Sequence, residues 1–88
     1  MNHSHRKVLH ALFAHPVSSN IDPRDVAAVF ESLGAQVSAG GHGQMKVSLN
    51  GHTHGFHETR HSLAKEEVVE LRKFLVTAGV DPARDYPL

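Results

Sequence analysis

The chain has 88 residues, with nine acidic and nine basic side chains, nine histidines and no cysteine. That length allows one domain with a modest core, and the balanced charge offers no polybasic surface for nucleic acid or membrane. The missing cysteine excludes disulfides, thiolate zinc sites and a thiol nucleophile.

Residues 1–5 are polar and read as a frayed tail in which His3 and His5 are solvated. From Arg6 to Ala14, the residues Val8, Leu9, Leu12 and Phe13 recur at helical spacing, and Pro16 prevents the helix from continuing. Two turns are marginal alone, so this helix must dock on something larger. Asp22-Pro23-Arg24-Asp25 opens a second helix over 23–33, because Asp22 accepts from exposed amides and Pro23 suits the first helical position. Val26, Val29, Phe30 and Leu33 form its apolar stripe, and Gly34 stops it. Residues 35–38 are a short strand, followed by the glycine-rich turn around His42, which matches no phosphate-binding fingerprint. The amino terminus leads into only a short apolar run, and no stretch approaches the ~20 apolar residues of a membrane span. The expectation is a cytoplasmic protein with no membrane partner.

Asn50-Gly51 then separates two strand-like runs, the strongest short signal for a two-residue type I′ hairpin. With those two residues as the loop, Leu49 faces His52, Val47 faces His54 and Met45 faces Phe56 on an apolar side. Ser48 opposite Thr53, Lys46 opposite Gly55 and Gln44 opposite His57 make the other side polar. After a polar connection, a third helix over 64–78 buries Val68, Leu71, Phe74, Leu75 and Ala78 and stops at Gly79. Glu66, Glu67 and Glu70 read as its solvated face, and residues 81–88 as a tail. The order helix, helix, strand, strand, strand, helix predicts an α+β domain: a three-stranded antiparallel sheet with helices packed on one face.

Histidine is the abundant chemical resource. His52 and His54 share one side of a strand and are the best metal pair, with a third ligand from His10, His15, His42 or His61 left open, although at the edge of the helix-covered side a partly buried imidazole hydrogen-bonded to a neighbour is the ordinary outcome. No serine lies in a nucleophile-elbow context. Acid-base chemistry by His42, His57 or His61 beside Lys46 or Arg60 is chemically reasonable, and the same residues suit phosphate binding.

Residues 25–80, running DVAAVFESLGAQVSAGGHGQMKVSLNGHTHGFHETRHSLAKEEVVELRKFLVTAGV, resemble the HicA family of small bacterial toxins of type II toxin-antitoxin systems. The resemblance rests on a helix ending in Leu-Gly, a glycine-rich turn, a strand-Asn-Gly-strand hairpin, the histidine-containing stretch Phe56 to His61, and a last helix ending Ala-Gly-Val. The longer start, with Ala14-His15-Pro16 and Asn20-Ile21, is similar to a branch with an added amino-terminal helix. The resemblance implies a fold like a double-stranded-RNA-binding domain, mRNA cleavage without metal or cofactor, and neutralisation by a HicB-like antitoxin laid over the active site. The family's catalytic histidine stands at the start of the second strand. Anchoring on Asn50-Gly51 puts Gln44 there, and glutamine cannot serve as a general base or acid.

A gapless carry-over therefore implies an RNA-binding protein without cleavage, whereas a two-residue slip makes His42 the catalytic residue. The proline usual in the histidine-containing stretch is replaced by Glu58 or Thr59. In this reading Lys46 and Arg60 contact phosphate, Gln44 and His57 contact sugar or base, and His61 adjoins them. The alternatives from other classes are a non-catalytic protein-interaction module that pairs through the sheet face or a strand edge and a histidine metal-binding protein.

Overall fold

The computed structural model describes residues 1–18, 20–57 and 62–88. Its elements are α1 (His3–Leu12), α2 (Pro23–Ser32), β1 (Gln36–Ala39), β2 (Gln44–Leu49), β3 (His52–His57), α3 (Lys65–Thr77) and α4 (Pro82–Asp85). The three strands form one antiparallel sheet in the order β1-β2-β3. This is the expected α+β class, and the succession α2-β1-β2-β3-α3 is roughly that of a double-stranded-RNA-binding domain, extended by a helix at each end.

The hairpin sets the register. Asn50 and Gly51 both have positive φ, 50° and 82°, as a type I′ turn requires, and all six β2–β3 pairs run as the sequence predicts, from Leu49 with His52 to Gln44 with His57. The Asn50 amide also donates to the carbonyl of Ala78 at 2.7 Å, fastening the turn to the end of α3. Because neighbouring residues on a strand point to opposite sides, Val47, Leu49 and Phe56 are buried against the helices while Gln44, Lys46, Thr53 and Gly55 are exposed.

The core lies between that buried side of the sheet and the helices. Phe30 of α2 is its hub, with ring centroids 6.1 Å from Phe56 and 5.9 Å from Phe74 of α3. Both α2 and α3 close in the same way: Ala35 N–H donates to Phe30 O at 3.0 Å, and Val80 N–H to Leu75 O at 2.9 Å. In each case the amide two residues past the last turn satisfies a helix carbonyl. α1 packs against α2 and α3, burying Leu9 and Leu12 completely and Val8 and Phe13 in part. The short helix thus finds the larger partner its length demands.

Two expectations need correction. The amino terminus is not frayed from 1 to 5: α1 begins at His3, because the side chain of Asn2 accepts from the backbone N–H of His5 at 2.8 Å and caps it. The helix also ends at Leu12, short of Ala14. Residues 81–88, expected only as a tail, include the short helix α4. Asp81 caps α4 by accepting from Ala83 N–H and Arg84 N–H, Pro82 is buried, and the Nε2–H of His10 donates to Tyr86 O at 2.7 Å, tying this segment to α1. In α4 the Arg84 guanidinium, hydrogen-bonded to Asp85, holds that carboxyl below its usual range. Smaller differences are the limits of α2, α3 and β1, each shifted by a residue.

Candidate nucleic-acid interface

The side of the sheet away from the helices carries Gln36 and Ser38 from β1, Gln44, Lys46 and Ser48 from β2, and Thr53, Gly55 and His57 from β3. Register alone brings them together: Ser38 pairs with Lys46, which pairs with Gly55, and Gln36 pairs with Ser48, which pairs with Thr53. Seven of these eight side chains are polar or cationic, the eighth is a glycine, and none is acidic. Among these eight positions a phosphate therefore meets hydrogen-bond donors and one cation, and the Glu67 carboxylate adjoins only the His57 end, 3.6 Å from its Nδ1. Lys46 lies on the central strand, is exposed, and has no ion pair with any described residue. A shallow trough runs over the Lys46–Gly55 pair, lined by Ser38, Gly40, Gly41, Gln44 and Thr53 among others.

His42 stands at one end of this surface, in the turn between β1 and β2. Gln44 N–H donates to Gly41 O at 3.3 Å, and the residues between, His42 and Gly43, both have positive φ, 60° and 75°. A non-glycine residue in the left-handed region is uncommon and carries a steric cost. The imidazole is exposed and is two residues ahead of Gln44, which opens β2.

His57, half-buried, closes β3. Its Nδ1 lies 3.6 Å from Glu67 Oε2, and its backbone N–H donates to the same oxygen at 3.4 Å. Glu67 Oε1 accepts from Ala64 N–H at 3.4 Å. This is half of a capping box, since Ala64 at the N-cap has no side-chain acceptor to return the bond. Glu67 therefore joins the end of β3 to the start of α3, and reading it as solvated helix face was wrong, although Glu66 and Glu70 are exposed as expected. The sequence held half of the signal: a glutamate three residues after Ala64, the N-cap that precedes the helix.

Of the residues selected from the sequence, Gln44, Lys46 and His57 share the open face and His42 adjoins it. Arg60 and His61 lie outside the described residues. The metal pair takes a different form. His54 stacks on Phe74 with ring centroids 5.6 Å apart at 29°, and His52 is exposed beside the hairpin turn. Among the described residues no three His, Asp or Glu side chains converge as a metal site. His5, His10 and His15 are engaged by Ser32, Tyr86 and Arg72 respectively.

No helix among the described residues is long and apolar enough to cross a membrane. No family model, curated protein or solved structure matches this chain.

Proposed function

We propose that this protein binds RNA through the open face of its sheet, in the manner of a HicA-like protein. The observation that carries the reading is the composition of that face: eight adjoining positions contribute Lys46, amides, hydroxyls and an imidazole, with no carboxylate. Lys46 contacts phosphate, while Gln44 and His57 supply hydrogen bonds to sugar or base. Recognition by shape and backbone contacts suits a small surface with few base-reading groups. Because the chain is neutral overall, affinity depends on local contacts and falls steeply with salt.

Gln44 occupies the position at which the resembled family carries its catalytic histidine, and an amide does not transfer protons. Binding without cleavage is accordingly the activity proposed. His42 is the residue from which cleavage would come: it is exposed, close in sequence to Gln44, and held in a conformation that disfavours its side chain.

The test incubates the purified protein, without added metal, with labelled single- and double-stranded RNA at two salt concentrations, following band shift and cleavage together. The expected result is a salt-sensitive shift that Lys46→Ala weakens, with intact RNA. Cleavage that vanishes in His42→Ala replaces the non-catalytic reading with a working ribonuclease. Equal behaviour of the parent and Lys46→Ala, or no shift at either salt concentration, removes the assignment of this face.

A further inference from the structure

β3 is an edge strand, with β2 on one side only. In a two-residue hairpin the residues flanking the turn exchange hydrogen bonds, and alternate residues then direct their backbone groups away from the partner strand. Leu49 and His52 flank the turn, so Thr53, Gly55 and His57 turn their N–H and C=O groups outward. The His57 N–H confirms that phase by reaching Glu67. Thr53 and Gly55 are exposed, and their outward groups have no partner among the described residues. An edge of this kind is a template for another strand unless proline, lysine or a bulge blunts it, and β3, reading HTHGFH, has none of the three.

Gly55 at the middle of this edge is not required by the fold. A Cβ there would meet only Met45 O at 3.7 Å, an ordinary contact, and its φ is not in the left-handed region. A β-branched residue would strengthen the strand. A glycine instead leaves room for a second backbone to approach.

The neighbouring α3 determines which chain fits. A groove of about 380 Å³ runs between the β3 edge and the first turns of α3, lined by His54, Gly55, His57, Glu66, Glu67 and Glu70. Glu67 is committed to His57 and Ala64, which leaves the exposed Glu66 and Glu70 facing the groove. Glu70 makes only an exposed pair with Lys73 at 3.6 Å. On a strand added to β3, every second side chain points toward this groove. A second copy of the chain would bring its own Glu66 and Glu70 against these, like charge on like, and phosphate is repelled for the same reason.

We infer that the outer edge of β3 and the α3 groove together take an extended segment of a partner protein as a fourth strand, with lysine or arginine at alternate positions facing Glu66 and Glu70. Backbone hydrogen bonds at Thr53 and Gly55 supply the pairing and the carboxylates supply the selection. This surface adjoins the open face and shares Thr53, Gly55 and His57 with it, but it is carried by their outward backbone groups and by Glu66 and Glu70, and does not depend on RNA binding.

The experiment titrates the intact, isotope-labelled protein with an end-blocked octapeptide of alternating lysine and threonine, up to millimolar concentration. A glutamate-threonine octapeptide is the control. Amide NMR shifts should concentrate at Thr53, Gly55, Glu66 and Glu70, and hydrogen exchange at Thr53 and Gly55 should slow, with the lysine peptide only. The doubly exchanged variant Glu66→Lys, Glu70→Lys should lose at least tenfold in affinity while keeping its circular dichroism, because both side chains are exposed. Lys46→Ala should bind the peptide unchanged. Absence of shifts at the edge, equal response to both peptides, or a concentration-dependent dimer that itself protects Thr53 and Gly55 would overturn the inference.

Discussion

The two sides of one sheet are built from the same three strands, yet they do different work. On the covered side Val47, Leu49 and Phe56 are buried in the same core as Phe30, Leu71 and Phe74, and the identity of each is set by volume. On the open side Gln44, Lys46, Ser48, Thr53 and Gly55 have no described helix above them, so volume does not set their identities, and the proposed function assigns them to a ligand. The period of two that separates the sides makes this division absolute: a slip of one residue would exchange them entirely. The Asn50-Gly51 turn prevents the slip, and it does so together with α3, through the bond from Asn50 to Ala78 O.

The strongest way to break the comparison is on the covered side. Phe56→Ala removes a ring that is 3% exposed and lies against Phe30. The expected cost is about 3–5 kcal/mol, a large share of the ~5–15 kcal/mol typical of a native domain. Chemical denaturation should show a much lower midpoint. A loss below about 1 kcal/mol would mean that the aromatic cluster is not the centre of the core.

The turn comes next. Asn50→Ala loses the hydrogen bond to Ala78 and places alanine at positive φ, a cost of about 1–2 kcal/mol in total. Asn50→Gly restores the backbone freedom but not the bond, so it should recover about half of that loss. If the two variants are equally stable, the positive φ adds no cost and the loss they share is that of the bond; if Asn50→Gly matches the parent, the fastening to α3 contributes nothing.

Glu67→Ala tests the seam where the sides meet. It removes acceptors from His57 N–H and Ala64 N–H, both at 3.4 Å, bonds long enough that about 1 kcal/mol is the expected loss. Hydrogen exchange should accelerate at His57 and at the first turn of α3, leaving the β2 amides unchanged. Uniform acceleration would show that Glu67 supports the whole fold.

How much of this was legible in the sequence follows from how local each signal is. The register could be read because two adjacent residues, Asn50 and Gly51, impose it and the alternation of six residues on either side agrees. α2 could be read from Asp22-Pro23 at one end and Gly34 at the other. Asp81-Pro82 is the same opening signal, but only four helical residues follow, and α4 is held by Pro82 burial and by His10, which is 76 positions away from Tyr86. No local pattern announces such a contact. The start of α1 was missed because Asn2, His3, Ser4 and His5 are all polar, and polar residues on the outer side of a capped helix look the same in sequence as a frayed end. At the candidate site, the shared face of Gln44, Lys46 and His57 follows from the hairpin. The stacking of His54 on Phe74 does not, because it joins a strand to a helix 20 residues later.

The smallest effect on stability belongs to the open side, where it is also the most informative. Lys46 is exposed, on the central strand, and pairs across the sheet with Ser38 and Gly55, neither of which needs its charge. Lys46→Ala should therefore change unfolding free energy by no more than about 0.5 kcal/mol. Its effect should emerge in RNA binding measured across a salt series: removing one phosphate contact lowers the affinity and reduces the slope of log affinity against log salt by about 1. Lys46→Gln keeps a polar side chain, one atom shorter, but removes the charge and should give the same reduced slope, since the slope counts charges. A change in affinity with an unchanged slope would place Lys46 on a base or sugar. Unchanged affinity together with unchanged stability would leave the open side without a role in binding, and the contrast between the two sides would then reduce to packed against solvated.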